Sequence, residues 1–328
     1  MSHGLMKDRM AYVGSVPWHG LGKAVAETVT ATEMIKAAGL DWRVWLQPAP
    51  GARLLQGQQA AYDRYLVMRD PVENEAVPVA LGFVGSSYRE LQNVDAFRFF
   101  EPFIADGYAQ FHTAGALDNG QRVWVLAKLK DQILVGKEDL VDRYLLLSNS
   151  HDGSSAVSIS FTPIRVVCQN TLALAQKNRV SAISIRHDRS LKSGLERAQQ
   201  HQLKSLIEKV YSDAATLFGK MAAFEVKADQ VETFLEVLFP KTEQQRERNE
   251  EPERWTRIKR ILKDESVTPP ETRHTLWAVY NAVVRDEDYR PSREAGPEAR
   301  LNRIWFGSGQ ALKLKALEKA QELVQAEA

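Results

Sequence analysis

Residues 145–170 read LLLSNSHDGSSAVSISFTPIRVVCQN, and they hold the side chains best suited to chemistry. Cys168 with His151 or His187, and Asp152 as orienter, would supply the thiol, base and carboxylate that nucleophilic catalysis needs. The spacing does not force them to meet. Cys168 lies in the apolar context VVCQN, where a thiol packs as a small hydrophobe and burial raises its pKa and makes it inert. A second reading is anion binding: Asn149, Ser150, Ser154 and Ser155 carry short polar side chains and Gly153 permits a left-handed backbone, so successive amides could form a nest. The GxxxxGK[ST] pattern is missing, so this is no Walker A loop. The third reading is a tight hairpin, with Asp152-Gly153 making the turn and His151 and the serines bonding the local backbone. Turn chemistry alone accounts for most of these residue types. His112, His151, Asp152 and His187 lack any HExxH or HxH spacing, and no metal or other cofactor is expected.

Cations and aromatics offer another kind of site. Arg165, Arg186, His187 and Arg189 place positive charge near the strands, and single-stranded nucleic-acid sites combine such charge with aromatic faces such as Tyr88, Trp124 or Tyr144. Trp18, in VGSVPWHGLGKAV, could stack on a base or plug the core; burial is the commoner role. In PERWTRIKRILKDE, Arg254, Arg257, Lys259, Arg260 and Lys263 share a helix with Trp255, Ile258, Ile261 and Leu262. The cationic face could neutralise phosphates or pair with the acidic residues around it. The candidate phosphate-binding set is Asn149, His151, Asp152, Gly153, Ser154, Ser155, Arg165, Arg186 and His187, with Trp18, Tyr88 and Trp124 as stacking candidates.

The elements that must position these groups are legible in outline. Thr30 and Glu33 have capping-box spacing before a helix that Gly39 stops. WRVWLQ, YDRYLVMR and VALGFV read as strands. Asn93 is placed to cap a helix running to Gly107, and Asn119-Gly120 marks a hairpin. RYLLLSN and AVSISF are two strands, the second alternating Ala156, Ser158 and Ser160 with Val157, Ile159 and Phe161; Pro163 should end it or mark an edge. VVCQNTLALAQKN fits a helix or a continued strand, and SAISIRH one more strand. Beyond residue 190 the apolar spacing becomes helical, broken at Pro240, Pro269, Pro270 and RPSREAGP, with KTEQQRERNEEPER as a mobile connection. The expected fold is α+β: an antiparallel or mixed sheet with helices in residues 1–190, then an α-helical domain or assembly region in 191–328.

Composition narrows the function classes. The 328 residues carry 43 Lys+Arg against 42 Asp+Glu, a formal charge of +1, so polyanion binding would need a local patch. One cysteine excludes an intramolecular disulfide and suits a reducing cytoplasm. No stretch approaches the ~20 apolar residues of a spanning helix, and no secretory signal is expected.

MAYVGSVPWHGLG, YRELQN before a helix, YLLLSNSHDGSSAVSISFTPIRVVCQNTL and RLNRIWFGSGQALKLKALEKAQEL together resemble a phage- and plasmid-associated family, that of the domain of unknown function numbered nine hundred thirty-two. His187 matches that family's Arg-His pair, whereas Asp188 departs from the small hydroxyl residue expected next. The resemblance implies a role in mobile-element DNA metabolism or host interaction. The resulting expectation is a non-catalytic, cytoplasmic, oligomeric protein that binds or anneals single-stranded DNA, possible ring formation included. Its alternatives are an enzyme acting on a nucleotide or small phosphorylated molecule through His151 or Cys168, and an adaptor for a phage or host protein.

Overall fold

The computed structural model describes residues 9–14, 22–49, 64–73, 75–165, 182–199, 203–265, 267–290 and 297–326. Two sheets and a set of helices build the α+β fold, with the helices concentrated in the C-terminal half. The larger sheet has seven strands, β1 (Met10–Val13), β2 (Lys23–Val25), β6 (Ala109–Leu117), β7 (Arg122–Val135), β8 (Asp139–Ser150), β9 (Val157–Arg165) and β10 (Ala182–Ile185). Their spatial order is β10-β9-β8-β7-β6-β1-β2. It is mixed, because β1 pairs in parallel with β2 and antiparallel with β6. The smaller sheet is the antiparallel ribbon β3 (Val44–Pro48), β4 (Arg64–Arg69) and β5 (Val79–Gly85).

Residues cluster into two compact units. The first holds residues 1–130, 145–160 and 182–205. Here α1 (Ala31–Ala37) starts on the Thr30–Glu33 capping box and buries Met34 and Ile35, as its pattern dictates. Strand β7 is buried at every position from Val123 to Ala127, so side chains on both of its faces are covered, as the continuous apolar run VWVLA requires. Strand β9 keeps the expected alternation, with Val157 and Ile159 buried and Ser158 and Ser160 half-buried. The turn after β6 has Asn119 at φ 56 and Gly120 at φ 95, the left-handed geometry that Asn-Gly tolerates. Pro163 does not end β9; it lies past Ser160, the last residue paired with β10.

Two helical expectations change in the first unit. The helix expected from Asn93 to Gly107 is two short ones, α2 (Asn93–Arg98) and α3 (Glu101–Ala105). Asn93 is not the cap: it is the first helical residue, and its Nδ2 donates to the Leu40 carbonyl at 2.9 Å. The cap position belongs to Gln92, whose side chain instead mimics a strand neighbour, accepting from Val44 N at 3.0 Å and donating to Val44 O at 2.7 Å. Helix α4 (Leu191–Arg197) follows β10.

The second unit, residues 131–144, 161–181 and 206–328, carries most of the helices. Helix α5 (Leu203–Ala223) contributes Tyr211, whose hydroxyl donates to Tyr144 O at 2.6 Å and accepts from Tyr144 N at 3.0 Å. Helix α6 (Ala228–Leu238) precedes α7 (Glu243–Glu247), a turn of helix in the segment expected as a mobile connection. Thr242 and Gln245 form its capping box, a local signal hidden within a run of charges. Helix α8 (Glu253–Lys263) packs Trp255 and Ile258 inward, and Trp255 Nε1 donates to Phe239 O at 3.0 Å. Helix α9 (Leu276–Tyr289) is buried all round from Leu276 to Val284, the pattern of a central helix; α10 (Pro297–Phe306) and α11 (Ser308–Ala326) follow.

Candidate functional site

The stretch SNSHDGSS is the end of β8 and the turn into β9. Gly153 adopts φ +77, and Asp152 caps the turn locally, accepting from Ser154 N at 2.9 Å and from the Ser150 hydroxyl. Ser150 Oγ also lies 2.8 Å from Ser154 Oγ. The turn sits against β5, where only glycine fits: a Cβ on Gly82 would lie 2.6 Å from Asp152 Cα. Burial raises the Asp152 carboxyl, but hydrogen bonds from Ser150 and Ser154 and the charge of Arg122 outweigh it and hold the group below the usual carboxylate range.

His151 points into the core. Its residue is fully buried, its N–H donates to Gln121 O at 2.6 Å, and its ring lies 5.5 Å from that of Trp42. Because Asn93 Nδ2 is committed to Leu40, Asn93 Oδ1 faces the imidazole, and His151 Nε2–H donates to it at 2.9 Å. Nδ1 is then the bare nitrogen, and Asn149 Nδ2 lies 3.3 Å from it and 3.2 Å from Nε2. Asn149 Oδ1 is buried with no hydrogen-bond partner among the described residues; turning the amide would set that oxygen against the bare Nδ1. Burial pushes His151 down to about 3, reinforced by the neighbouring His187 and opposed by Asp152. The ring is neutral and held in one tautomer.

His187, half-buried, makes a second set of contacts. Its Nδ1–H donates to Arg89 O at 2.9 Å, and Arg89 N donates to His187 O at 3.0 Å. Tyr88 stacks on its ring at 4.5 Å and 13°, while the Tyr88 hydroxyl donates to Ser150 O at 3.2 Å. Burial lowers the His187 pKa, against the opposing effect of the bond to Arg89.

The candidate residues thus divide. Asn149, His151, Asp152, Ser154 and, through Tyr88, His187 are brought together, but as a hydrogen-bonded turn and its support. Asn149 and His151 are buried, so neither presents a group to a surface phosphate; Gly153, Ser154 and Ser155 are exposed at the tip. The stacking candidates are corrected likewise: Trp124 is wholly buried and Tyr88 spends its face on His187, because the sheet and the turn cover them. Arg186 is exposed beyond β10. Arg165 closes β9, but its side chain, Trp18, Cys168 and the rest of the VVCQN segment, expected as a helix or a continued strand, lie outside the described residues. No group of three His, Cys, Asp or Glu stands together as a metal site among the described residues.

A groove of about 700 Å³ opens elsewhere in this unit, lined by segments 89–99 and 188–199 and by no residue of the turn. Arg89, Arg189 and Lys192 line it and are exposed. Of its carboxylates, Asp188 accepts from Ser190 N at 2.7 Å and Asp95 lies 4.0 Å from Arg98. Strand β5, at the rim of the small sheet, also exposes Phe83 at 66%. Arg89 and Asn93, within YRELQN, and Phe83, within VALGFV, were not among the candidate site residues; Asn93 and Arg89 are engaged by residues distant in the chain. No helix among the described residues is long and apolar enough to cross a membrane.

No curated protein and no solved structure matches this chain. The sequence model of the domain of unknown function DUF932 matches residues 80–305, the segment that contains the turn, the groove and most of the helices. The chain belongs to the DUF932 family.

Proposed function

We propose that this protein is a non-catalytic single-stranded DNA-binding or annealing protein of a mobile element, working in the cytoplasm as a homo-oligomer. The observation that carries the reading is a set of exposed cations, Arg89, Arg186, Arg189 and Lys192, none of which makes an ion pair with a carboxylate among the described residues. Exposed cations outside close ion pairs are available to phosphates, and their counterions are released on binding. Phe83, exposed on β5, is the aromatic face suited to stack a base, in place of the buried Trp124 and Tyr88. The turn at Asp152 and Gly153 serves as a rigid support, with Ser155 available as a hydroxyl donor at its tip.

What supports this reading over the enzymatic alternative is that a buried, neutral His151 has no substrate-facing nitrogen. The test is fluorescence anisotropy of a labelled oligothymidine at low and moderate salt, with the solution mass measured in parallel. Affinity should fall steeply with salt. Arg186→Glu with Arg189→Glu should weaken binding and flatten the log–log salt slope by roughly 1.4, at ~0.7 for each phosphate that is no longer neutralised. Absent or salt-independent binding would refute the reading.

A further inference from the structure

The second unit holds a concentration of arginine that its own carboxylates do not balance. Asp286 and Glu287, consecutive on α9, are each 2% exposed at the side chain. Arg254 from α8 donates through Nε to Asp286 Oδ2 at 2.8 Å and through Nη2 to Glu287 Oε2. Arg257, one turn further along α8, donates through Nε to the other Asp286 oxygen at 2.8 Å. Arg290 and Arg303 both converge on Glu287 as well. Four guanidinium groups therefore share two buried carboxylates. The neighbouring Asp288 does not redress the balance, because it pairs with the buried Lys313 at 3.0 Å. Glu253 does so only at the surface, where it is 90% exposed and screened by solvent.

Donor counting points the same way. Each guanidinium offers five N–H groups, whereas a carboxylate accepts about four. Glu287 alone faces three arginines, and Arg290 Nε, 3.3 Å from its Oε2, is buried without a hydrogen bond. Arg257 and Arg290 are the open side of the cluster, with side chains 31% and 35% exposed, while Arg303 is at 9%. Burial outweighs the attraction of Asp286 and, with the smaller repulsion from Arg290 and Arg257, brings Arg254 down to about 10. A tetrahedral oxyanion supplies several acceptors and up to two negative charges at once, which matches this surplus of donors and charge.

We propose that Arg254, Arg257 and Arg290 form a binding site for a phosphate-class oxyanion, seated over the Asp286–Glu287 pair on the side that Arg257 and Arg290 leave open. The source is either free phosphate or the phosphodiester of a nucleic acid. The site is independent of the groove cations Arg89, Arg189 and Lys192.

The experiment is thermal denaturation of the full chain in inorganic phosphate and in chloride at matched ionic strength, for the wild type, Arg257→Gln, Arg290→Gln and the exposed control Arg248→Gln. Roughly 10 mM phosphate should raise the wild-type and control Tm by about 2–4 °C, and either site variant should lose most of that rise. If a site variant fails to fold, saturable binding of phosphate to the wild type by calorimetry carries the test. Equal Tm in phosphate and chloride, or an undiminished rise in both site variants, overturns the proposal. Oligothymidine anisotropy separates the sources. Weakened binding in Arg290→Gln assigns a nucleic-acid phosphate, and unchanged binding alongside a lost Tm rise assigns free phosphate. A phosphate effect that survives Arg189→Glu keeps this site separate from the groove.

Discussion

The deepest consequence of the turn's construction is a pH dependence of folding that originates at His151. In the folded chain this imidazole is fully buried and lies near 3, against an ordinary value of 6.5 once the chain unfolds. Its folded pKa is depressed, so the unfolded state takes up the proton first. The stability the neutral ring provides is complete above about 6.5 and is lost as pH falls from there towards 3. At pH 5 the unfolded ring is already protonated while the folded one is not. The roughly 1.5 units between pH 5 and 6.5, at ~1.36 kcal/mol each, give a loss of about 2 kcal/mol relative to pH 7.5. Other groups titrate in the same range, so the measurement is a difference: urea unfolding by tryptophan fluorescence at both pH values, for the wild type and His151→Gln. Gln keeps one donor and one acceptor but cannot titrate. The variant should be less stable at pH 7.5 yet lose about 2 kcal/mol less on acidification. An NMR titration should leave the His151 ring signals unmoved from pH 8 to 5. A ring that titrates near 6.5 in the folded protein, or equal losses in variant and wild type, would refute the reasoning and return His151 to the list of candidate bases.

Three further outcomes follow from the packing. Gly82→Ala should destabilise by about 1–3 kcal/mol in thermal melts, because its Cβ would lie 2.6 Å from Asp152 Cα, whereas Gly85→Ala, with nothing within 4 Å, should be far milder. Lys313→Met should cost about 3–5 kcal/mol by removing the ammonium from the buried Asp288 carboxylate, and adding Asp288→Asn should recover part of the loss in the same denaturation assay. Phe83→Ala should leave the melting profile nearly unchanged and weaken oligothymidine binding about tenfold or more, at ~1–3 kcal/mol per stacked base; unchanged affinity would remove Phe83 from the proposed interface.

Much of the fold was written in signals that act over a few residues. Thr30 and Glu33 cap a helix, Asn119 and Gly120 turn a hairpin, and Val157, Ile159 and Phe161 give β9 its buried face whatever surrounds them. The same locality explains the errors: Asn93 has the residue type of a helix cap, yet its amide is claimed by Leu40 and by His151, 58 positions away. The capping box that orders α7 was masked by the charges around it.

Sequence alone determined that Ser150, Asp152, Gly153 and Ser154 would make a turn, since each bond there spans two to four residues. It could not determine which way His151 faced, which nitrogen carries its proton, or that Trp124 would be sealed from any ligand. Those properties depend on solvent exclusion and on partners supplied by distant segments. The arginine surplus around Asp286 and Glu287 arises in the same way: each charge was visible in a chain whose total is nearly neutral, but only the packing of α8, α9 and α10 gathers four guanidinium groups around two carboxylates.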